Sequence, residues 1–92
     1  MARQETWEIF LTKPAEKSHD RVSKNLQEQF DLCFGDLEEN PLYGPNIRAL
    51  TGSMKGLFRY RTGNWRIIYR PQRDLRIIEV IAILPRGDAY QE

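Results

Sequence analysis

The sequence predicts an α+β domain: a first strand, a helical segment, and then three antiparallel strands. Three observations carry this. Helical spacing of apolar residues is clearest between Val22 and Leu37, strand-like alternation marks residues 6–12 and 57–84, and tight-turn signals divide the last of these stretches. With 92 residues the chain is read as one domain, 1–92, because it is long enough for a single core and too short for a second.

In "TWEIFLT", residues 6–12, Trp7, Ile9 and Leu11 alternate with Glu8 and Phe10, the pattern of a strand with one buried face. Thr12 ahead of Lys13-Pro14 resembles a helix cap with proline in the first turn, so a short helix is expected there, stopping or bending near Ser18-His19-Asp20. Ser18 or Asp20 is then placed to cap a second helix. In that helix Val22, Leu26, Phe30, Cys33 and Leu37 follow at steps of four, four, three and four, one buried stripe. It should end near "EENP", since Pro41 disfavours helical geometry at Asn40.

Residues 42–56 are too irregular for either period and are read as a loop with three glycines and a proline. Strand-like runs follow at 57–62, 64–70 and 75–84, with "TGN" and "PQRD" as turn signals between them. The expected architecture is therefore a four-stranded, curved, antiparallel sheet with helices on one face.

Alternation sorts the hairpin "GLFRYRTGNWRIIYR", residues 56–70, into two surfaces. Phe58, Tyr60, Trp65, Ile67 and Tyr69 should pack under the helices, while Arg59, Arg61, Arg66 and Arg70 emerge on the opposite face. In the last run both faces are largely apolar, which suits a central strand and implies partial cover of the arginine side by residues 42–56, by the C-terminal segment or by another protein.

Charge is unevenly spread. Residues 1–46 hold five basic and nine acidic side chains, a net of −4; residues 47–92 hold nine basic and four acidic, a net of +5. Eight of those nine basic residues are arginines, whose planar fork of donors matches phosphate. An anionic ligand for the C-terminal half follows. The alternative is a solvated face, or edge charges that protect the sheet from pairing with another chain.

Several function classes are excluded. No apolar run approaches the ~20 residues of a membrane helix, and "MARQETWEIFLTK" is too polar for a secretory signal. A cytoplasmic protein is expected. Cys33 is the only cysteine, so no intramolecular disulfide forms, and its place in the helical stripe marks it as a small buried side chain. His19 is the only histidine and lies far along the chain from the arginines. No His/Cys/carboxylate set for a metal and no glycine fingerprint for a phosphate cofactor is present, so neither metal nor cofactor is expected.

"LTG" at 50–52, the hairpin above, the hydrophobic last strand and "PRGDAY" at 85–90 together resemble the RelE/ParE superfamily of toxins from type II toxin–antitoxin pairs, on the RelE side. The similarity runs from the first strand to Tyr90. It implies a RelE-like, microbial-ribonuclease-like fold and a ribosome-dependent endoribonuclease that cuts mRNA, inhibits translation and is silenced by a cognate antitoxin. By position it implies catalytic roles for Arg59, Arg61, Arg66, Arg86 and Tyr90, and RNA contacts for Lys55 and Arg70. DNA would be met only through the antitoxin. One departure stands out: relatives often read His-Arg-Arg where this chain has Pro85-Arg86-Gly87. Two other readings share the residues, a ParE-type inhibitor of DNA gyrase and a non-catalytic relic that only binds an antitoxin.

Overall fold

The computed structural model describes residues 6–86. In chain order they form β1 (Glu8–Leu11), α1 (Lys13–Arg21), α2 (Lys24–Glu39), β2 (Ile47–Ala49), β3 (Phe58–Thr62), β4 (Trp65–Gln72) and β5 (Ile77–Pro85). The strands make one sheet in the order β1-β5-β4-β3-β2. The α+β class holds, with five strands where four were expected. The extra strand, β2, lies inside the stretch read as loop; three residues are too few to display a period, and it exists through antiparallel pairing with β3.

Both helices start on side-chain caps. The Thr12 hydroxyl accepts from the Ala15 N–H at 3.4 Å, with proline in the first turn, and α1 continues to Arg21, past the predicted stop. Ser23, not Ser18 or Asp20, caps α2: its hydroxyl accepts from the Leu26 N–H at 3.3 Å. The helix ends at Glu39 with Asn40 as its C-cap, as the following proline requires. His19 joins the two helices. Its Nε2 lies 2.9 Å from Asp31 Oδ1 and its ring packs near Phe30 and Phe34.

The sheet is antiparallel as expected except at β1, which pairs in parallel with β5, from Glu8 opposite Ile77 to Leu11 opposite Val80, because the two helices carry the chain across before it returns. The Thr12 hydroxyl extends this contact by donating to the Ile81 carbonyl at 2.8 Å. β5 is thereby central, which accounts for its two apolar faces. Its alternation is not strict. Ile68 faces Ala82 but Tyr69 faces Val80, so Ile81 is an extra residue in the ladder, and the core-facing set passes from Ile83 to Val80 and Ile78.

The core fills the space between the helices and one sheet face. Phe30, Cys33, Phe34 and Leu37 of α2 meet Tyr60, Ile67, Tyr69 and Ile83, with Phe58 and Trp65 at its margin. Each fully buried large apolar side chain contributes about 1.5–3 kcal/mol. Burial pushes the Cys33 thiol above its ordinary pKa. The two core tyrosines satisfy their hydroxyls: Tyr60 donates to Asp36 Oδ2 at 2.8 Å, tying β3 to α2, and Tyr69 donates to the Pro41 carbonyl at 2.7 Å. The β3–β4 turn uses Gly63 at φ 58°, where a side chain would be strained, and Gln29 of α2 holds it by donating to the Thr62 hydroxyl at 2.8 Å.

Tyr69→Phe leaves the buried Pro41 carbonyl without its donor at a cost of about 1–3 kcal/mol. The melting temperature should fall by at least several degrees while the far-ultraviolet circular dichroism of the folded protein is retained; an unchanged melting temperature would contradict the role assigned to this bond.

Candidate nucleic-acid interface

The sheet face turned away from the helices is ordered into rungs by strand pairing. Residues directly opposite in a ladder project to the same side. Across β3, β4 and β5, Arg61 pairs with Arg66, which pairs with Leu84; the adjoining rung runs from Arg48 on β2 through Arg59 and Ile68 to Ala82. Two like-charged cross-strand pairs, Arg61–Arg66 and Arg48–Arg59, therefore stand side by side. Adjacent strands lie about 4.8 Å apart, and the two rungs are two residues, or about 6.7 Å, apart along the strand.

The arginines differ in setting. Arg59 and Arg66 are each only 8% exposed, whereas Arg48 and Arg61 are open to solvent. Arg59 Nη1 donates to the Asn46 carbonyl at 3.2 Å, an oxygen that also accepts from the Arg61 N–H at 2.9 Å, so its guanidinium is drawn toward the neighbouring rung. Arg66 Nη1 donates to the Trp65 carbonyl at 3.2 Å. Between them Ile68 is buried, as is Leu50 after β2, and neither belongs to the main core. Part of the expected cover of this face is thus internal, with Leu50 drawn from the segment 42–56.

Arg86 sits at the same end of the sheet as Arg61 and Arg66. Its N–H donates to the Asn64 carbonyl at 2.7 Å, fixing the chain after β5 against the β3–β4 turn, and the residue is exposed. Two predicted residues are not gathered in. Arg70 stands opposite Glu79 with an Nη1–Oε1 distance of 4.0 Å, on a rung beyond Ile68. Lys55 is exposed before the start of β3, at the end of that strand opposite Arg61. Tyr90 lies outside the described residues. The sequence reading passed over Arg48, whose position is visible only once β2 is known to pair with β3.

No ready base faces this surface from the core. Burial, followed by the hydrogen bond to Asp36, raises the Tyr60 hydroxyl far above the usual phenol range, and burial does the same for Tyr69. Both belong to the helix side, as does His19. Two surface hollows elsewhere have the opposite character: Asp36, Glu39 and Tyr43 line one, and Glu8, Asp31 and Glu38 line the other. No described helix is long and apolar enough to cross a membrane.

This fold, with a cationic sheet face opposite its helices, is that of the small toxins of toxin–antitoxin pairs. The structure of the RelE–RelB complex from Pyrococcus horikoshii matches with a TM-score of 0.77 at 26% identity, covering 91% of this chain and 99% of the other. The RelBE2 toxin–antitoxin complex from Mycobacterium tuberculosis matches with a TM-score of 0.77 at 21% identity, over 88% and 99% of the two chains. For the isolated RelE toxin of E. coli the TM-score is 0.74 at 17% identity, over 94% and 87%. A search of curated proteins finds no match. The family described as the ParE toxin of type II toxin–antitoxin systems matches residues 9–90, and the chain belongs to it. It is a toxin of a type II toxin–antitoxin system.

Proposed function

We propose that the toxin is a ribosome-dependent endoribonuclease that cleaves mRNA and so inhibits translation. The observation that carries this reading is the pair of like-charged rungs. Four guanidiniums gathered on one sheet face offer a polyanion several charged, forked donors at once. A phosphate backbone is the natural polyanion for several guanidiniums set at strand spacing.

In the proposed reaction the RNA 2′-oxygen attacks the adjacent phosphorus as its proton passes to solvent water. The bond from phosphorus to the 5′-oxygen breaks, leaving a 2′,3′-cyclic phosphate and a protonated 5′-hydroxyl. Arg61 and Arg66, with Arg59 behind them, stabilise charge on the pentavalent phosphorane. Arg86 is assigned to the leaving oxygen, and Tyr90 to stacking on a base or orienting the 2′-hydroxyl. Arginine, with a pKa above about 12, and tyrosine, near 10, are poor bases at neutral pH. The ribosome therefore has to supply the in-line orientation of the strand that this chain cannot impose.

A cognate antitoxin is the second partner in this reading. The P. horikoshii and M. tuberculosis relatives were crystallised as toxin–antitoxin complexes. Contact with DNA would come through that antitoxin. The competing function is inhibition of DNA gyrase, favoured by the description of the matching family as ParE and by the pairing of Glu79, a carboxylate on this face, with Arg70 rather than with the Arg61–Arg66 rung.

Primer extension on translated mRNA should reveal new 5′ ends when the toxin is added, the same RNA without ribosomes should stay intact, and gyrase supercoiling of plasmid should be unaffected. Arg61→Ala or Arg66→Ala should lower the cleavage rate by about 10²–10³, the usual effect of losing one such donor. Intact mRNA alongside blocked supercoiling would replace this reading with the gyrase one.

A further inference from the structure

The two charged rungs are not equivalent, and their spacing gives them separate tasks. One holds Arg61 and Arg66 beside the turn that anchors Arg86; the other holds Arg48 opposite Arg59. The two pairs are offset by two residues along a strand, about 6.7 Å, and by one strand across, about 4.8 Å, so their centres lie about 8 Å apart on a diagonal. Flexible arginine side chains can match that step to an extended sugar–phosphate backbone, whereas the strand-to-strand distance within a rung lets two guanidiniums share one phosphate. Arg59, leaning toward Asn46, stands between the rungs. Arg48 is exposed on β2, an edge strand, at the outer limit of the cationic face.

We infer that the rungs take two successive phosphates of one RNA strand, Arg61 and Arg66 holding the first and Arg48 the next, so that the RNA crosses β3 on a diagonal from the β4 side toward β2. Arg48 is then a positioning residue: it fixes the neighbour of the reacting phosphate and acts on register, not on charge at the reacting atom. This rests on the reading of the arginine face as an RNA surface, and deepens it. A solvated edge charge, the alternative for Arg48, would be indifferent to the number of phosphates in a ligand.

The test uses the whole chain and short 2′-O-methyl uridylates, which lack the nucleophile and cannot be cleaved, with one or two phosphodiesters, titrated at low salt and followed by backbone amide NMR. The one-phosphate ligand should shift the Arg61 and Arg66 resonances. The two-phosphate ligand should add Arg48 and bind more tightly, a gain lost in Arg48→Ala and kept in Arg48→Lys. With a longer 2′-O-methyl strand, Arg48→Ala should flatten the slope of log affinity against log salt by about 0.7, one single-strand phosphate contact. In translated mRNA, Arg48→Ala should raise the toxin concentration for half-maximal cleavage severalfold and disturb the saturating rate far less than Arg61→Ala.

An Arg48 resonance indifferent to both ligands, or shifted equally by one phosphate and two, overturns the assignment even if mRNA is cleaved. No binding to any of the uridylates overturns it as well. A clear step from one to two phosphates in a protein that leaves translated mRNA intact would support the assignment and defeat the nuclease reading.

Discussion

A slip of one residue between β3 and β4 would turn the toxin inside out. Side chains alternate across a strand, so the pairing that sets Tyr60 opposite Ile67 and Phe58 opposite Tyr69 is the same pairing that sets Arg61 opposite Arg66. Shifted by one, the arginines would enter the core and the rings would meet water. The turn at Gly63 and its bond to Gln29 on α2 hold this register from one end. The Tyr60 bond to Asp36 and the Tyr69 bond to Pro41 hold it from beneath. Core and candidate site are in this sense one object, and a substitution that loosens the first misaligns the second.

That coupling explains why the most informative stretch of sequence also supplies most of the site. The side of each hairpin arginine follows from a period of two, as does the burial of the five apolar residues between them. The stripe from Val22 to Leu37 likewise fixes α2. What escapes the sequence depends on partners distant in the chain. β2 is three residues long and has no period of its own; Arg59 and Arg48 become neighbours only through it. The parallel pairing of β1 with β5 leaves no local mark, and the extra residue at Ile81 shifts the buried set of β5 without any glycine to announce it. Ser23 was passed over as a cap because Val22 was counted inside the helix it in fact precedes.

Chemistry was less legible than fold for a related reason. Alternation predicts a face but not a charge balance, and Arg70, on the same face as Arg66, is turned to an ion pair by Glu79, which sits opposite it on β5. Burial also grades the remainder. Arg59 and Arg66 are largely enclosed while Arg48 and Arg61 stand open, so side chains that look interchangeable in sequence have different reach and different desolvation. The described core offers no proton acceptor to the arginine face: Tyr60, Tyr69 and His19 all lie on the helix side.

The strand that closes the sheet has a temporal meaning as well as a spatial one. β1 is synthesised ahead of every other described element, yet its partners are Ile77 to Val80 in β5, the last of them. Until those residues are available β5 cannot form, and β4 lacks one of its two neighbours. A nascent chain that stops short of Ile77 carries Arg48, Arg59, Arg61 and Arg66 with no complete sheet to array them. The cationic face is consequently completed only after β5 has been made, and a message truncated before that point encodes arginines without a surface.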